Sequence, residues 1–314
     1  MSRKPVLNLP VIMGMDLKPV SLDDIEIIYQ YTSLYGEGCC QHSPVSMWSL
    51  YEKYGDSFCI QDGFLYVCRE HLCDDGYRVY LAPFGAGDIA GAFENILSDA
   101  HSHGKKAKFI TLTEKYVNIL NGSFPDKFEC INDRDLAEYI ISTETMRDFP
   151  GKIHARRRTE IRSFWRDFGD RTEVSEMTAG DREEVLDYAS EWVEKYSETH
   201  DEEALERELK CIQKQIWNYD KLGISGTVIR IDGNVKAFCY GVGLNDDYYD
   251  VLIEKGDREY PGIYRVLRQE STKLNVTGYK YVNFEEDVGV PGLRRLKESY
   301  GPEFLIGKYR VTEK

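Results

Sequence analysis

The stretch GTVIRIDGNVKAFCYGV, residues 226–242, is a pair of apolar, strand-like runs joined by Asp232-Gly233. A two-residue hairpin loop needs positive φ at both positions, and Asp-Gly supplies it. The same device occurs in SFCIQDGFLYVC, residues 57–68, with Asp62-Gly63 at the turn.

The elements after each hairpin match as well. After the first come a strand-like YRVYLAPF, a glycine turn, a helix-like DIAGAFENILSDAHSHG and a strand-like KAKFITLT; EKYVNIL and KFECI then read as helix and strand. After the second come DDYYDVLIEKG, a turn ending at Gly262, a helix-like IYRVLRQESTKLN and a strand-like YKYVNFEE; PGLRRLKESYG and EFLIGKYRV read as helix and strand. Asp-Gly hairpins are common, so either signal alone is weak. The shared order argues for two copies of one α+β unit, each a mixed sheet with helices on both faces. Pro150-Gly151 is the expected boundary, giving domains 1–149 and 150–314. The second copy carries extra amphipathic helices at its start, in GKIHARRRTEIRSFWRDFG, DREEVLDYASEWVEKY and EEALERELKCIQKQIWNYDKLG.

A chain of 314 residues, 42% of them apolar, can bury two ordinary cores. The formal net charge of -14 argues against wholesale coating of nucleic acid, though not against a local basic patch. No run approaches the roughly 20 apolar residues that cross a bilayer, and MSRKPVLNLPVIMGMD reads as an ordinary terminus, so a cytoplasmic location is expected. The eight cysteines include no C-x-x-C pair and read as reduced thiols; no metal centre is expected.

The strand–helix junctions distinguish the copies. A helix N-terminus offers backbone N–H groups and partial positive charge to a phosphate. In LAPFGAGDIAGAFENILS, Asp88 sits where an anion would; in EKGDREYPGIYRVLRQ, Lys255, Arg258, Arg265 and Arg268 surround Gly262. The same charges could be a solvated face paired with Asp257, Glu259 and Glu270. The basic helix holding His154, Arg156, Arg157 and Arg158 reads as a phosphate grip or as a face neutralised by the acidic helices after it. At the tip of the last apolar strand of YKYVNFEE, Glu285, Glu286 and Asp287 cluster, and alternation sends Glu285 and Glu286 to opposite faces. One of them could serve as a general base, or all could cap the next helix and pair with Arg294 and Arg295.

Four stretches, GKIHARRRTEIRSF, EKGDREYPGIYRVLRQE, NFEEDVGVPGLRRLKESYGP and IGKYRV, resemble the soluble family related to the C-terminal domain of phosphatidylglycerol lysyltransferases. The most specific match is Asn283, Glu285, Asp287, Gly289, Gly292, Leu293, Arg294, Lys297, Ser299 and Tyr300. That family is similar to a tandem of GNAT-type acyltransferase units. The resemblance implies α+β units with mostly antiparallel mixed sheets, a degenerate first copy and an active cleft in the second. It implies acyl or aminoacyl transfer from acyl-CoA or aminoacyl-tRNA as co-substrate, with no resident cofactor required. The acceptor would be an amine or hydroxyl on a small molecule, lipid headgroup or peptide. Glu285, Asp287, Glu254 and Lys297 are then the expected catalytic groups. Lys255, Arg258, Gly262, Tyr264, His154, Arg157, Arg158 and Arg294 are the expected donor-binding groups. The rival expectation is a non-catalytic protein that binds an anionic ligand or RNA on the same scaffold.

Overall fold

The computed structural model describes residues 14–197 and 202–314; the first thirteen residues of the N-terminal stretch lie outside it. Its strands, in chain order, are β1 (Lys18–Pro19), β2 (Asp56–Gln61), β3 (Phe64–Arg69), β4 (Tyr77–Tyr80), β5 (Phe84–Gly85), β6 (Lys106–Leu112), β7 (Phe128–Asn132) and β8 (Glu138–Ser142). Then come β9 (Thr172–Glu176), β10 (Ser225–Ile231), β11 (Asn234–Gly243), β12 (Tyr248–Gly256), β13 (Tyr281–Glu286), β14 (Phe304–Ile306) and β15 (Tyr309–Glu313).

Both Asp-Gly hairpins form. Asp62 and Gly63 have φ 52° and 79°, and Asp232 and Gly233 have φ 52° and 77°, the left-handed pair that this turn requires. The duplication is plain in the sheets. One runs β1-β2-β3-β4-β6-β15-β7, with β5 beside β3; the other runs β9-β10-β11-β12-β13-β8-β14. In each, a parallel pair (β4 with β6, β12 with β13) interrupts an otherwise antiparallel order.

The strand boundaries differ from expectation at two places. EFLIGKYRV is two strands: β14 pairs with β8, and β15 pairs with β6 and β7. Likewise β8, expected in the first domain, pairs with β13 and β14. The described residues accordingly divide into a unit of 14–20, 53–132 and 308–314 and a unit of 21–52, 133–197 and 202–307, which corrects the expected division at 149/150. The cause is strand pairing and packing. Ile25 and Val45 lie in the core built on Val228 and Phe238, so residues 21–52 belong with the second sheet.

In the first unit the helices Ile89–Ser102 and Glu114–Ser123 meet the sheet through Phe93, which packs edge-on to Phe109 and Tyr116. In the second unit both faces are covered. The helices Arg182–Tyr196 and Glu202–Trp217 share one core with Val228 and Phe238. The helices Ala155–Phe168 and Ile263–Asn275 share the other with Ile229, Tyr249 and Val282. Among the described residues no helix is long and apolar enough to cross a membrane.

Candidate active site

The second unit's parallel pair parts early. β12 and β13 are in register at Tyr248–Tyr281, Tyr249–Val282 and Asp250–Asn283 and no further. Beyond that point both strands continue toward the same edge, leaving a notch of the kind that forms outside the carboxyl ends of parallel strands.

β12 leads into the helix Ile263–Asn275 through Gly262. This glycine has φ 94°, and a Cβ there would lie 2.9 Å from the Glu160 carbonyl oxygen, so backbone conformation and space both call for glycine. Among the described residues no side chain caps this helix N-terminus, and the Ile263 and Arg265 amides donate to the carbonyls of Tyr260 at 3.1 Å and Gly262 at 2.8 Å. A cleft of about 380 Å³ opens beside it, lined among others by Thr159, Ser163, Arg258, Gly262, Tyr264 and Arg265. Arg258 is exposed and lies over the Tyr196 ring at 4.8 Å. Burial pushes the Tyr264 hydroxyl up, keeping it protonated at neutral pH. Arg265 reaches Glu160 at 3.3 Å and donates to the Tyr300 hydroxyl at 3.2 Å. Of the expected donor-binding groups, the structure brings Arg258, Gly262 and Tyr264 together.

The others are occupied elsewhere. Lys255 is buried, paired with Glu208 and seated 4.0 Å over the Trp192 ring. Arg157 is buried 4.0 Å over the Tyr300 ring and donates to Ser299 Oγ at 2.5 Å. Arg158 donates to the carbonyls of Phe149 and Gly151, closing the turn before its helix. His154 is buried against the Phe149 ring, and burial, then the neighbouring Arg157 and Arg158, push its pKa down. The arginine run is therefore largely structural, correcting its reading as a phosphate grip. Arg294 is likewise committed, to Asp287 and Asp135.

Among the catalytic candidates, Asp287 is corrected outright. It is fully buried and accepts from Arg294 Nε at 2.9 Å, Arg294 Nη2 at 2.8 Å, the Tyr139 hydroxyl at 2.5 Å and the Gly289 amide at 2.9 Å. Arg134 adds an ion pair at 3.3 Å. The Arg294 hydrogen bonds, outweighing burial, hold its carboxyl far below the usual range, so it is a poor base. Glu254 accepts from Arg268 Nε at 2.9 Å, which neutralises it. The buried Lys297 ammonium donates to the carbonyls of Phe284 at 2.5 Å and Glu286 at 2.6 Å. It therefore pins the strand tip, and burial pushes its pKa down against the pull of Glu285 and Glu286.

Glu285 is different. It has φ 54°, and the register on β8 jumps from Asn283–Ile140 to Glu286–Glu138. An extra residue is thus bulged out of β13, which returns Glu286 to the Asn283 face and overturns the expected simple alternation. The Glu285 amide donates to Asn283 Oδ1 at 2.8 Å, which holds the bulge. Bulges at strand tips re-aim a side chain, here a half-buried carboxylate.

The sequence reading missed a cluster beneath this bulge. Glu138 is fully buried and accepts from Cys39 Sγ at 3.1 Å, Cys40 Sγ at 3.0 Å, the Cys40 amide at 3.0 Å and Asn283 Nδ2. Glu286 accepts from Gln41 Nε2 at 2.7 Å. These partners come from far apart in the chain, and Asn283 in the strand-tip motif was the only local signal.

The chain matches the model of the family "Phosphatidylglycerol lysyltransferase, C-terminal" over residues 41–312. It belongs to that family. A conserved protein of unknown function from Bacteroides thetaiotaomicron VPI-5482 is similar at 25% identity and TM-score 0.88, covering 95% of this chain and 99% of that one. L-PGS from Bacillus licheniformis shares the fold at TM-score 0.68 and 16% identity, covering 96% of this chain and 94% of that one. An uncharacterized protein of Mycoplasmoides gallisepticum is 20% identical over 173 residues, so the chain spans only 55% of that relative's length. The architecture is that of two tandem α+β units, each a mixed sheet flanked by helices, and L-PGS shares that fold.

Proposed function

We propose that this protein is an acyltransferase that moves an acyl or aminoacyl group from a phosphate-bearing carrier, an aminoacyl-tRNA or an acyl-CoA, to an amine or hydroxyl acceptor. The observation that carries this reading is the uncapped helix N-terminus at Gly262, with its cleft and Arg258, at the edge where β12 and β13 part. Carrier phosphates would meet the positive end of the helix dipole and Arg258. The reacting carbonyl would lie in the notch, where backbone N–H groups of β12 can stabilise the oxyanion. Glu285 would take the acceptor's proton as the new bond forms, and the carrier's oxygen or sulfur would leave.

Family membership and the shared fold support transfer chemistry in general. The choice of donor rests on experiment: melting with coenzyme A against melting with deacylated tRNA, since a ligand raises the transition of the protein that binds it. Turnover measured in Glu285→Gln against the parent tests the base. Undiminished turnover in that variant removes Glu285 from the mechanism.

A second reading, anion binding without catalysis, draws on the internal pairing of Asp287, Glu254 and Lys255. It predicts a melting shift with coenzyme A or tRNA but no transfer to any amine or hydroxyl acceptor.

A further inference from the structure

We propose that Cys68, Glu70 and Cys73 of the first unit form a zinc site. The segment Cys68-Arg69-Glu70-His71-Leu72-Cys73 has the C-x₄-C spacing, which falls within the range used by structural zinc ligands. Cys68 lies near the end of β3, and the short helical turn Glu70–Leu72 folds the chain back so that the Cys73 amide donates to the Glu70 carbonyl at 3.2 Å. The two sulfurs are left 3.8 Å apart. A bonded disulfide would hold them at about 2.05 Å. Two Zn–S bonds of about 2.3 Å at a tetrahedral angle of about 109° separate their sulfurs by about 3.8 Å, so the pair already stands at the dithiolate spacing.

Further features fit the same ion. A Glu70 carboxylate oxygen and the two sulfurs all lie within 4.8 Å of one another. The Val79 amide donates to Cys73 Sγ at 3.3 Å, the outer hydrogen bond that favours a thiolate, and Arg78 Nη2 holds Glu70 Oε1 at 2.9 Å. Cys68 is buried while Cys73 and Glu70 are partly open, which leaves an approach for the ion and a fourth position for water. Two thiolates with one carboxylate select zinc over magnesium or calcium, which take oxygen donors. The ion would tie the end of β3 to the turn that leads into β4. Nothing in the acyl-transfer reading bears on this site.

The test is titration of the reduced full chain with Co²⁺ and Zn²⁺. The expected result is a single equivalent giving a tetrahedral thiolate-to-cobalt charge-transfer band that Zn²⁺ displaces. Loss of even an outer partner of a zinc ligand costs about 10- to 100-fold in affinity, so Cys73→Ser should weaken binding by at least about 100-fold. Cys40→Ser, in the separate Cys40–Glu138–Glu286 cluster of the second unit, should leave the band intact. Cys73 is half-exposed, so its serine variant should fold, as circular dichroism would verify, even if Cys68→Ser does not. Absence of the band in reduced protein, its persistence in Cys73→Ser, or its loss in Cys40→Ser overturns the assignment.

Discussion

Asp287→Asn separates a structural carboxylate from a catalytic one. The parent side chain is fully buried and accepts two hydrogen bonds from Arg294, one from Tyr139 and one from the Gly289 amide, with Arg134 alongside. Breaking a buried ion pair by removing one partner costs about 3–5 kcal/mol. Here Arg294 is 31% exposed and keeps Asp135 at 2.6 Å, so part of its charge stays solvated or paired. A loss of about 3 kcal/mol is therefore expected. At about 2–4 °C per kcal/mol for a body of this size, the melting transition should fall by roughly 6–12 °C.

The pH dependence adds a sign. The folded-state pKa of Asp287 lies below its unfolded value. Its contribution is fully present above the unfolded pKa of about 3.9 and is lost as pH falls below that. Parent and variant melting curves should thus converge on acidification below about pH 4. The measurement is thermal denaturation by circular dichroism from pH 3 to 8, alongside turnover at a temperature where both proteins are folded. A variant that melts with the parent yet has lost turnover would refute the structural assignment and return Asp287 to the chemistry.

Gly262→Ala should lower stability by about 1–3 kcal/mol, because alanine is strained at φ 94° and its Cβ meets the Glu160 carbonyl; denaturant titration reads this. Arg258→Glu should weaken coenzyme A or tRNA binding while leaving the melting point of the free protein within about 1 °C, since its side chain is exposed; equal affinities would remove it from the donor site. Lys297→Met should destabilise by about 2–3 kcal/mol by stranding the carbonyls of Phe284 and Glu286. Because burial depresses the Lys297 pKa, the parent should gain stability as pH rises toward about 10.4, and a variant with the same alkaline slope would contradict this.

The hairpins were legible because a turn's φ requirement is local: Asp-Gly announces it at both sites. The route of the final strand was not, since Phe304–Ile306 and Tyr309–Glu313 look alike as apolar runs and only tertiary pairing sends them to different sheets. The arginine run misled for a related reason. Whether Arg157 meets phosphate or the Tyr300 ring depends on a partner 143 positions later in the sequence. The Glu285 bulge was hidden because alternation presumes unbroken register, and nothing in Asn-Phe-Glu-Glu marks where the extra residue is absorbed. The helix start at Gly262 was readable because such a start carries its own local signals.

The two copies offer an internal comparison at equivalent positions. Each helix after the parallel-pair strand follows a glycine-bearing turn, but the N-cap backbones differ, and Asp88 accepts the Gly91 amide at 3.0 Å and so fills its own helix N-terminus with a carboxylate. An incoming phosphate there would have to displace a tethered anion already on the same amide. At Gly262, among the described residues, no side chain takes that place, and Arg258 lies on the flanking cleft. The third helical amide is thus taken by a side-chain carboxylate in one copy and by backbone in the other, where Arg265 N–H donates to the Gly262 carbonyl at 2.8 Å. On the proposed function, this difference favours the second unit, with its exposed Arg258, as the donor-binding copy. Asp88→Gly should not be enough to create a donor site in the first unit, because LAPFGAGDIAG brings no arginine or lysine to that helix start.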